Sequence, residues 1–386
     1  MIIWGSVLVP VITVVILLLF FKHQTVWWEF FIPVVVSLML IGLCKSCSEG
    51  VQTRDTEYLG GYGVKAIYYE AWNERVPCSH PKYCTRTVTR TGSDGRTYTS
   101  TESYQCGHHH LYDVDNHPPR WVLDDSNRGR HRISKSYFDS LTSRWKNKVF
   151  KDLNRSYHTR DGDSYVTAWD NNDDTLEPVV TTNTYKNRVQ ASDSVFSYQE
   201  VDPKMYGLFE YPEVNGYRCD SVLGVLENKA TASRYLNIWN AKLGRAKQVR
   251  MWMLIYVNQP MAAALEQESY WKGGNKNEVV VCIGVDKNSS LKWCHVFSWT
   301  EVESMKVRIR SEISSMEVLD VQKAAEVLVS NVQKDFRRKE FADFDYLTVE
   351  PPIKYVIMTF VLTVLVNVGL SVFVIKNNIK EKAKRR

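Results

Sequence analysis

The chain has 386 residues, 44% of them apolar and 24% charged, with 49 Lys+Arg against 43 Asp+Glu. That mix excludes a disordered chain, a collagen and a small disulfide scaffold. Without Lys22, Glu29, Glu381 and the six basic residues of the C-terminal tail, 42 positive groups face 41 negative ones, and so neutral a body excludes a broad nucleic-acid footprint.

Ile2–Phe21 carries no charge. A helix of that length spans about 30 Å, one bilayer crossing. No basic region precedes it and no small-residue cleavage site follows, so it reads as a retained span rather than a signal peptide. Apolar character resumes at Val26 and lasts to Cys44, with Trp27 and Trp28 at an interface and Glu29 within reach of headgroups. Residues 1–44 are therefore expected to form a transmembrane hairpin over 2–21 and 26–44, kinked at Pro10 and Pro33. A buried core hairpin is the alternative. A third uncharged run, Tyr355–Ile375, is expected to cross again, with the basic tail 376–386 near anionic lipid headgroups. Three crossings put loop 22–25 and the tail on one side and the central domain on the other. Basic residues near the membrane number seven on the tail side and six on the domain side, nearly a tie. Long domains translocate largely regardless of charge, so the short basic tail is expected to weigh more, giving a cytoplasmic tail and an extracytoplasmic domain.

Residues 45–229 read as a β-rich domain. A strand is expected at Val64–Tyr69, after Gly60-Gly61-Tyr62-Gly63. From Thr85 to Tyr104 the chain is Thr-rich and alternating around Asp94-Gly95, the pattern of a β-hairpin with its turn. Ser134 can cap a helix reaching Asn147. Residues 230–352 are more regular. The pattern predicts a helix at Ala230–Leu243 stopped by Gly244, a strand at Gln248–Val257 and a helix at Pro260–Tyr270. Strands are expected at Glu278–Val285 and Leu291–Trp299, then amphipathic helices from about Glu301 to Lys339. The fold class is α+β: a β-rich N-terminal part with a Thr-rich hairpin, then a strand/helix sandwich, anchored by three transmembrane helices.

The densest group of ligand-type residues is Cys78, His80, Cys84, Cys106, His108, His109, His110 and His117. The turn at Asp94-Gly95 brings Cys84 and Cys106 nearly opposite each other, with Cys78 and His108–His110 at the open end of the ribbon. Thiolate and imidazole converging on a hairpin with little core suit one structural zinc, held by Cys78, Cys84, Cys106 and either His108 or His110. In an oxidising compartment the same three cysteines offer a disulfide, and the histidines can also be plain solvated loop residues. The extracytoplasmic orientation favours the disulfide, so the two expectations pull against each other. Cys282 and Cys294 flank the 286–290 turn evenly and read as cross-strand neighbours, buried and free. Cys44 and Cys47 stand where acylation is chemically open, with no role the simpler reading. Asp220, Glu227 and Lys229 have a metal-nuclease spacing that arises readily by chance. Asp170, Asp173 and Asp174 with Asn171 and Asn172 lack the Gly and the final Glu of a calcium loop, and read as a solvated acidic loop. No phosphate loop, nucleophile elbow or His-Glu-x-x-His motif is present.

Met251-Trp252-Met253-Leu254-Ile255-Tyr256-Val257-Asn258-Gln259, then Ala264-Leu265-Glu266, then Tyr270-Trp271-Lys272-Gly273-Gly274-Asn275 and Glu278-Val279-Val280-Val281-Cys282-Ile283-Gly284 are similar in layout to the TPM domain. The resemblance covers about residues 230–340 and implies a strand and helix leading to a Trp–Gly–Asn turn, a buried strand, a hairpin and helices. It departs from the family pattern at Asn275-Lys276-Asn277-Glu278 and at Ser298-Trp299-Thr300-Glu301. The whole chain also resembles uncharacterised membrane proteins carried by tailed bacteriophages and bacteria, a likeness that brings no activity with it. No complete catalytic constellation can be assembled. The expectation is a multi-pass membrane protein displaying a domain that binds a protein partner or organises an assembly in the envelope. The alternative is a membrane-anchored, metal-dependent, phosphatase-like hydrolase on the TPM-like part, which requires carboxylates such as Glu278 and Asp286 to converge.

Overall fold

The computed structural model describes residues 2–21, 26–91, 95–146, 148–153, 165–171, 177–192, 201–225 and 228–377. A 3-10 segment, Ile2–Val7, leads into α1 (Leu8–Phe20), and a second, Trp27–Phe30, leads into α2 (Phe31–Gln52). Pro10 and Pro33 each fall in the first α-turn after a 3-10 segment, so the missing amide N–H is absorbed where the helix type changes. Glu29 does not reach outward: it is buried, and its Oε2 accepts from the Val26 N–H at 2.8 Å, satisfying a donor at the helix entry. Helix α2 runs eight residues beyond the uncharged stretch, and only Thr53 separates it from the first strand.

That strand, β1 (Arg54–Tyr69), is long enough to serve two neighbourhoods. The next strands are β2 (Trp72–Pro77), β3 (Pro81–Thr91), β4 (Thr97–His108), β5 (Tyr112–His117), β6 (Arg120–Asp125) and β7 (Arg130–Ile133). Then come α3 (Lys135–Trp145), β8 (Lys148–Leu153), β9 (Tyr165–Asp170) and β10 (Pro178–Lys186). Ser134 caps α3 as its position suggests, its Oγ accepting from the Tyr137 N–H at 3.3 Å. The first half of β1 pairs with β10, Arg54 opposite Lys186 through Tyr62 opposite Pro178. Its second half lies between β6 and β9, giving a six-stranded antiparallel sheet completed by β7 and β8. Phe138, Leu141 and Trp145 of α3 cover Ala66 and Leu123 of this sheet.

Two one-turn helices, α4 (Arg188–Ala191) and α5 (Pro203–Tyr206), precede the second sheet. Its elements are β11 (Val222–Leu223), α6 (Lys229–Lys247), β12 (Arg250–Val257), α7 (Ala262–Tyr270), β13 (Glu278–Val285) and β14 (Leu291–Ser298). Then follow α8 (Glu303–Ser314), α9 (Val321–Asp335), a 3-10 turn at Phe341–Phe344 and α10 (Ile353–Asn377). Strands β11, β12 and β13 are parallel and β14 is antiparallel to β13. Every residue of β13 is buried, as expected for a parallel strand covered on both faces. One face packs on α6, α8 and α9 through Met251, Met253, Ile309 and Leu328; the other packs on α7 and the 201–219 segment through Trp252, Leu254, Ala263 and Leu208.

Helix α6 does not stop at Gly244. It continues to Lys247, because Gly244 lies against Gly60 of β1: a Cβ on Gly244 would meet the Gly60 carbonyl oxygen at 2.5 Å, and one on Gly60 would meet the Asn240 carbonyl oxygen at 2.0 Å. Two glycines thus let a strand of the first sheet touch a helix of the second. The chain ends in a bundle. The stretch Ile3–Phe20, which joins the first 3-10 segment to α1, and helices α2 and α10 are each long and apolar enough to cross a membrane, and the three helices pack on one another. Inside this bundle Asn367 Nδ2 donates to Ser37 Oγ at 2.7 Å, a buried polar contact that links α2 to α10. At the base of the domain, Glu49 of α2 pairs with Lys186 at 3.0 Å and with Arg188 at 2.8 Å.

Candidate metal centre

Strands β2 and β5 pair from Trp72–His117 to Pro77–Tyr112, and β3 and β4 pair from Pro81–His108 to Thr91–Thr97. The two pairings make one arm, interrupted at residues 78–80 on one chain direction and 109–111 on the other. Nearly every residue of β3 and β4 is exposed, and an isolated two-stranded ribbon is marginal in water. Local links hold it. Cys84 and Cys106 are joined as a disulfide with their Cα atoms 5.7 Å apart, and Arg86 lies over the Tyr104 ring at 5.2 Å.

The interruption gathers a different set of ligand atoms. One ligand atom from each of Cys78, His80, His110 and Asp113 lies within 4.8 Å of the others. Cys78 is buried, while the two imidazoles are reachable from solvent. Asp113 is the hub: its Oδ1 meets His80 Nδ1 at 3.3 Å and bonds to His110 Nε2, and its Oδ2 accepts from the Ser79 N–H at 2.8 Å. Hydrogen bonding from His110, then from Ser79, outweighs desolvation and holds the Asp113 carboxyl below the usual carboxylate range. The Cys78 sulfur lies 3.8 Å from His80 Nδ1 and accepts from the His80 N–H at 3.3 Å. Tetrahedral zinc with bonds of about 2.0–2.3 Å sets its ligand atoms roughly 3.3–3.8 Å apart, so this group can hold a metal ion after closing by about 1 Å. Without an ion, the same atoms form a carboxylate–imidazole hydrogen-bonded group.

Of the residues singled out in the sequence, Cys78 and His110 belong to this group. Cys84 and Cys106 are spent on each other, and His108 stands in register with Pro81 at the end of β4. His80 and Asp113 complete the set. His80 was in the dense run; Asp113 carries no spacing signal and comes within reach only because Val76 of β2 pairs with it. A cavity of about 440 Å³, lined by Pro77, Cys78, His108, His109, His110 and Leu111, opens beside the group.

The other candidates disperse. Glu278 and Asp286 stand at opposite ends of β13. Glu278 is buried and held by Tyr211, by the Trp252 indole N–H at 3.0 Å and by the Asn275 N–H at 2.8 Å. Burial pushes its carboxyl up. Asp286 instead closes the exposed turn into β14, accepting from the Asn288 and Ser290 N–H groups at 2.9 Å each. Cys282 and Cys294 are buried free thiols, diagonal rather than opposite: Cys282 faces His295 and Ile283 faces Cys294. Burial pushes the Cys294 thiol up to about 12. Cys44 and Cys47 are free and lie within α2. Asp220 is exposed and Glu227 lies outside the described residues, as do Asn172, Asp173 and Asp174 of the acidic loop.

The chain matches no protein-family model, no curated protein and no solved structure.

Proposed function

We propose that this chain is a multi-pass membrane protein that displays its α+β domain outside the cytoplasm, and that the domain binds a partner or organises an assembly in the envelope. The observation that carries this reading is the surface of the three-helix bundle. Leu8, Leu19, Phe20, Met39, Leu365 and Phe373 all point outward from it, each more than 60% exposed. In water such a surface is an aggregation liability; in a lipid bilayer it is solvated. The tight step from α2 into β1 and the Glu49 pairs with Lys186 and Arg188 fix the domain to the bundle, as a display role requires. The Cys84–Cys106 disulfide supports an oxidising compartment for the domain and hence a cytoplasmic basic tail. Disulfide and metal no longer compete, since different cysteines serve them. On this reading Cys78, His80, His110 and Asp113 hold one structural ion of the zinc class at the break in the arm.

The separation of Glu278 from Asp286 weighs against a hydrolase, and the TPM-like layout of 230–340 is kept as a likeness of arrangement. The test is alkaline carbonate washing of membranes, followed by protease treatment of intact cells whose cytoplasm is sealed. The chain stays in the pellet, and the arm is cleaved from outside while the tail is protected. Release by carbonate, or a protected arm, overturns the reading. Metal analysis of the oxidised, purified full chain tests the second part. About one zinc per chain is expected, lost in Asp113→Ala; no zinc, or zinc unaffected by that substitution, removes the metal.

A further inference from the structure

Where α3 and β10 of the first sheet meet α6 and β12 of the second, a cavity of about 540 Å³ opens. Four arginines line it: Arg144, Arg218, Arg234 and Arg250, against two carboxylates, Glu177 and Asp220. Glu177 is already engaged. It takes the Tyr137 hydroxyl, Arg144 Nη2 at 3.0 Å and Arg218 Nη2 at 3.5 Å. Neither Arg234 nor Arg250 has a carboxylate in contact among the described residues.

Arg250 is the decisive group. It is 1% exposed, and a guanidinium that deep normally meets a carboxylate. Here Nη2 donates to the Cys219 carbonyl at 3.3 Å and to Asn237 Oδ1 at 3.4 Å, both on residues of the cavity wall, and Nε has no hydrogen-bond partner. The cross-strand neighbour is Glu278, yet what touches the guanidinium is the Trp252 ring, 4.4 Å away, whose N–H is turned to Glu278. Burial therefore works against the Arg250 charge, and Cys219, through space and by hydrogen bonding, and Glu278, through space, offset it only in part. A planar cation with donors to spare, set in the wall of a cavity with surplus positive charge, is the arrangement that recognises an oxyanion.

We propose that this cavity binds a small organic oxyanion, a carboxylate or a phosphate monoester. Its head is held by Arg250, Arg218 and Arg234, and its body packs on Tyr137 and Val179. The volume fits such a molecule, since small-ligand cavities run to about 300–1,000 Å³. Arg218 is already stacked over Tyr137 at 4.6 Å, so one wall offers an aromatic face beside a cation. The site is independent of the metal group and of the display reading.

The experiment is isothermal titration of the full chain in detergent with four probes: phenyl phosphate, benzoate, inorganic phosphate and neutral benzamide. Phenyl phosphate or benzoate is expected to bind one to one. Inorganic phosphate, which has the head without the body, is expected to bind more weakly than phenyl phosphate, and benzamide not at all. Arg218→Ala and Arg234→Ala, both exposed, should each weaken binding about tenfold, the loss of one charge-assisted contact, and Arg234→Ala, which breaks no ion pair among the described residues, should leave the unliganded unfolding temperature unchanged. Arg250→Met should abolish binding. Because that substitution can also unfold the chain, the two exposed variants decide the matter. The proposal fails if no anionic probe saturates, if benzamide binds as tightly as benzoate, or if both exposed variants bind like the parent.

Discussion

The arm at 72–117 and the α/β part at 229–336 are built on opposite principles. In the α/β part β12 and β13 are buried on both faces, and Met251, Trp252, Leu254 and Ile283 are almost wholly removed from water. Burial of that kind contributes on the order of 2 kcal/mol per large side chain, spread over a continuous core. The arm has no such core: Tyr83, Tyr98, Leu111 and Val114 are exposed, and Cys78 is its one buried apolar residue among the described ones. Its order comes from links that each join two points, namely a disulfide, a group of metal-type ligands and a few cation–ring contacts. A core fails cooperatively, whereas a linked ribbon fails where the link is cut.

The comparison breaks if damage to the two regions has similar global consequences. Leu254→Ala should be the most costly, about 2–5 kcal/mol in denaturant unfolding of the detergent-solubilised chain, since it opens a cavity in the second core. Next comes the seam. Gly60→Ala or Gly244→Ala forces a methyl group against backbone and should cost about 1–3 kcal/mol, lowering one cooperative transition for both sheets; two separate transitions would show that the seam does not couple them.

A smaller effect is expected at Asp125. Burial opposes its charge, but His131 Nε2 at 2.6 Å and the Gly129 and Asn127 N–H groups at 2.7 Å each outweigh it and hold the carboxyl below its usual range. A depressed carboxylate gives stability that is fully present above the unfolded value of about 3.9 and is lost as pH falls through the lower folded value. Asp125→Asn should therefore cost about 1 kcal/mol at neutral pH and flatten the acid limb of the stability curve; an unchanged acid limb would remove this pair from the account. The smallest global effect belongs to Cys84→Ser, within about 0.5 kcal/mol, even though the arm itself should open and be cleaved by protease well before the body unfolds. If Cys84→Ser lowers the main transition by several kcal/mol, the arm is part of the cooperative unit and the contrast drawn here is wrong.

Much of this chain was legible in its residues. Each of the three apolar runs overlaps one of the three long apolar helical segments, although α2 starts at Phe31 and runs on to Gln52, and the Thr-rich alternation around Asp94-Gly95 coincides with β3 and β4. Ser134 opens α3, and Glu278–Val285 and Leu291–Ser298 are strands within a residue of their expected bounds. These features depend on neighbours in sequence: the length of an apolar run, a period of two, a side-chain oxygen three residues before an amide. What the residues could not give depends on partners far along the chain. Gly244 looked like a helix stop because its local signal is that of a stop, but its role is set by Gly60, which packs against it from another sheet. Asp113 became part of the Cys78–His80–His110 group through a pairing register. Arg250 reads locally as the first residue of an apolar strand, and nothing in its neighbours shows that it ends in a cavity wall with no carboxylate in contact with it among the described residues. Periodicity and capping are short-range physics, and the sequence alone determined them. The distribution of charge and ligand atoms over contacts between distant segments was decided by the tertiary structure, because only folding fixes which groups share the same few ångströms.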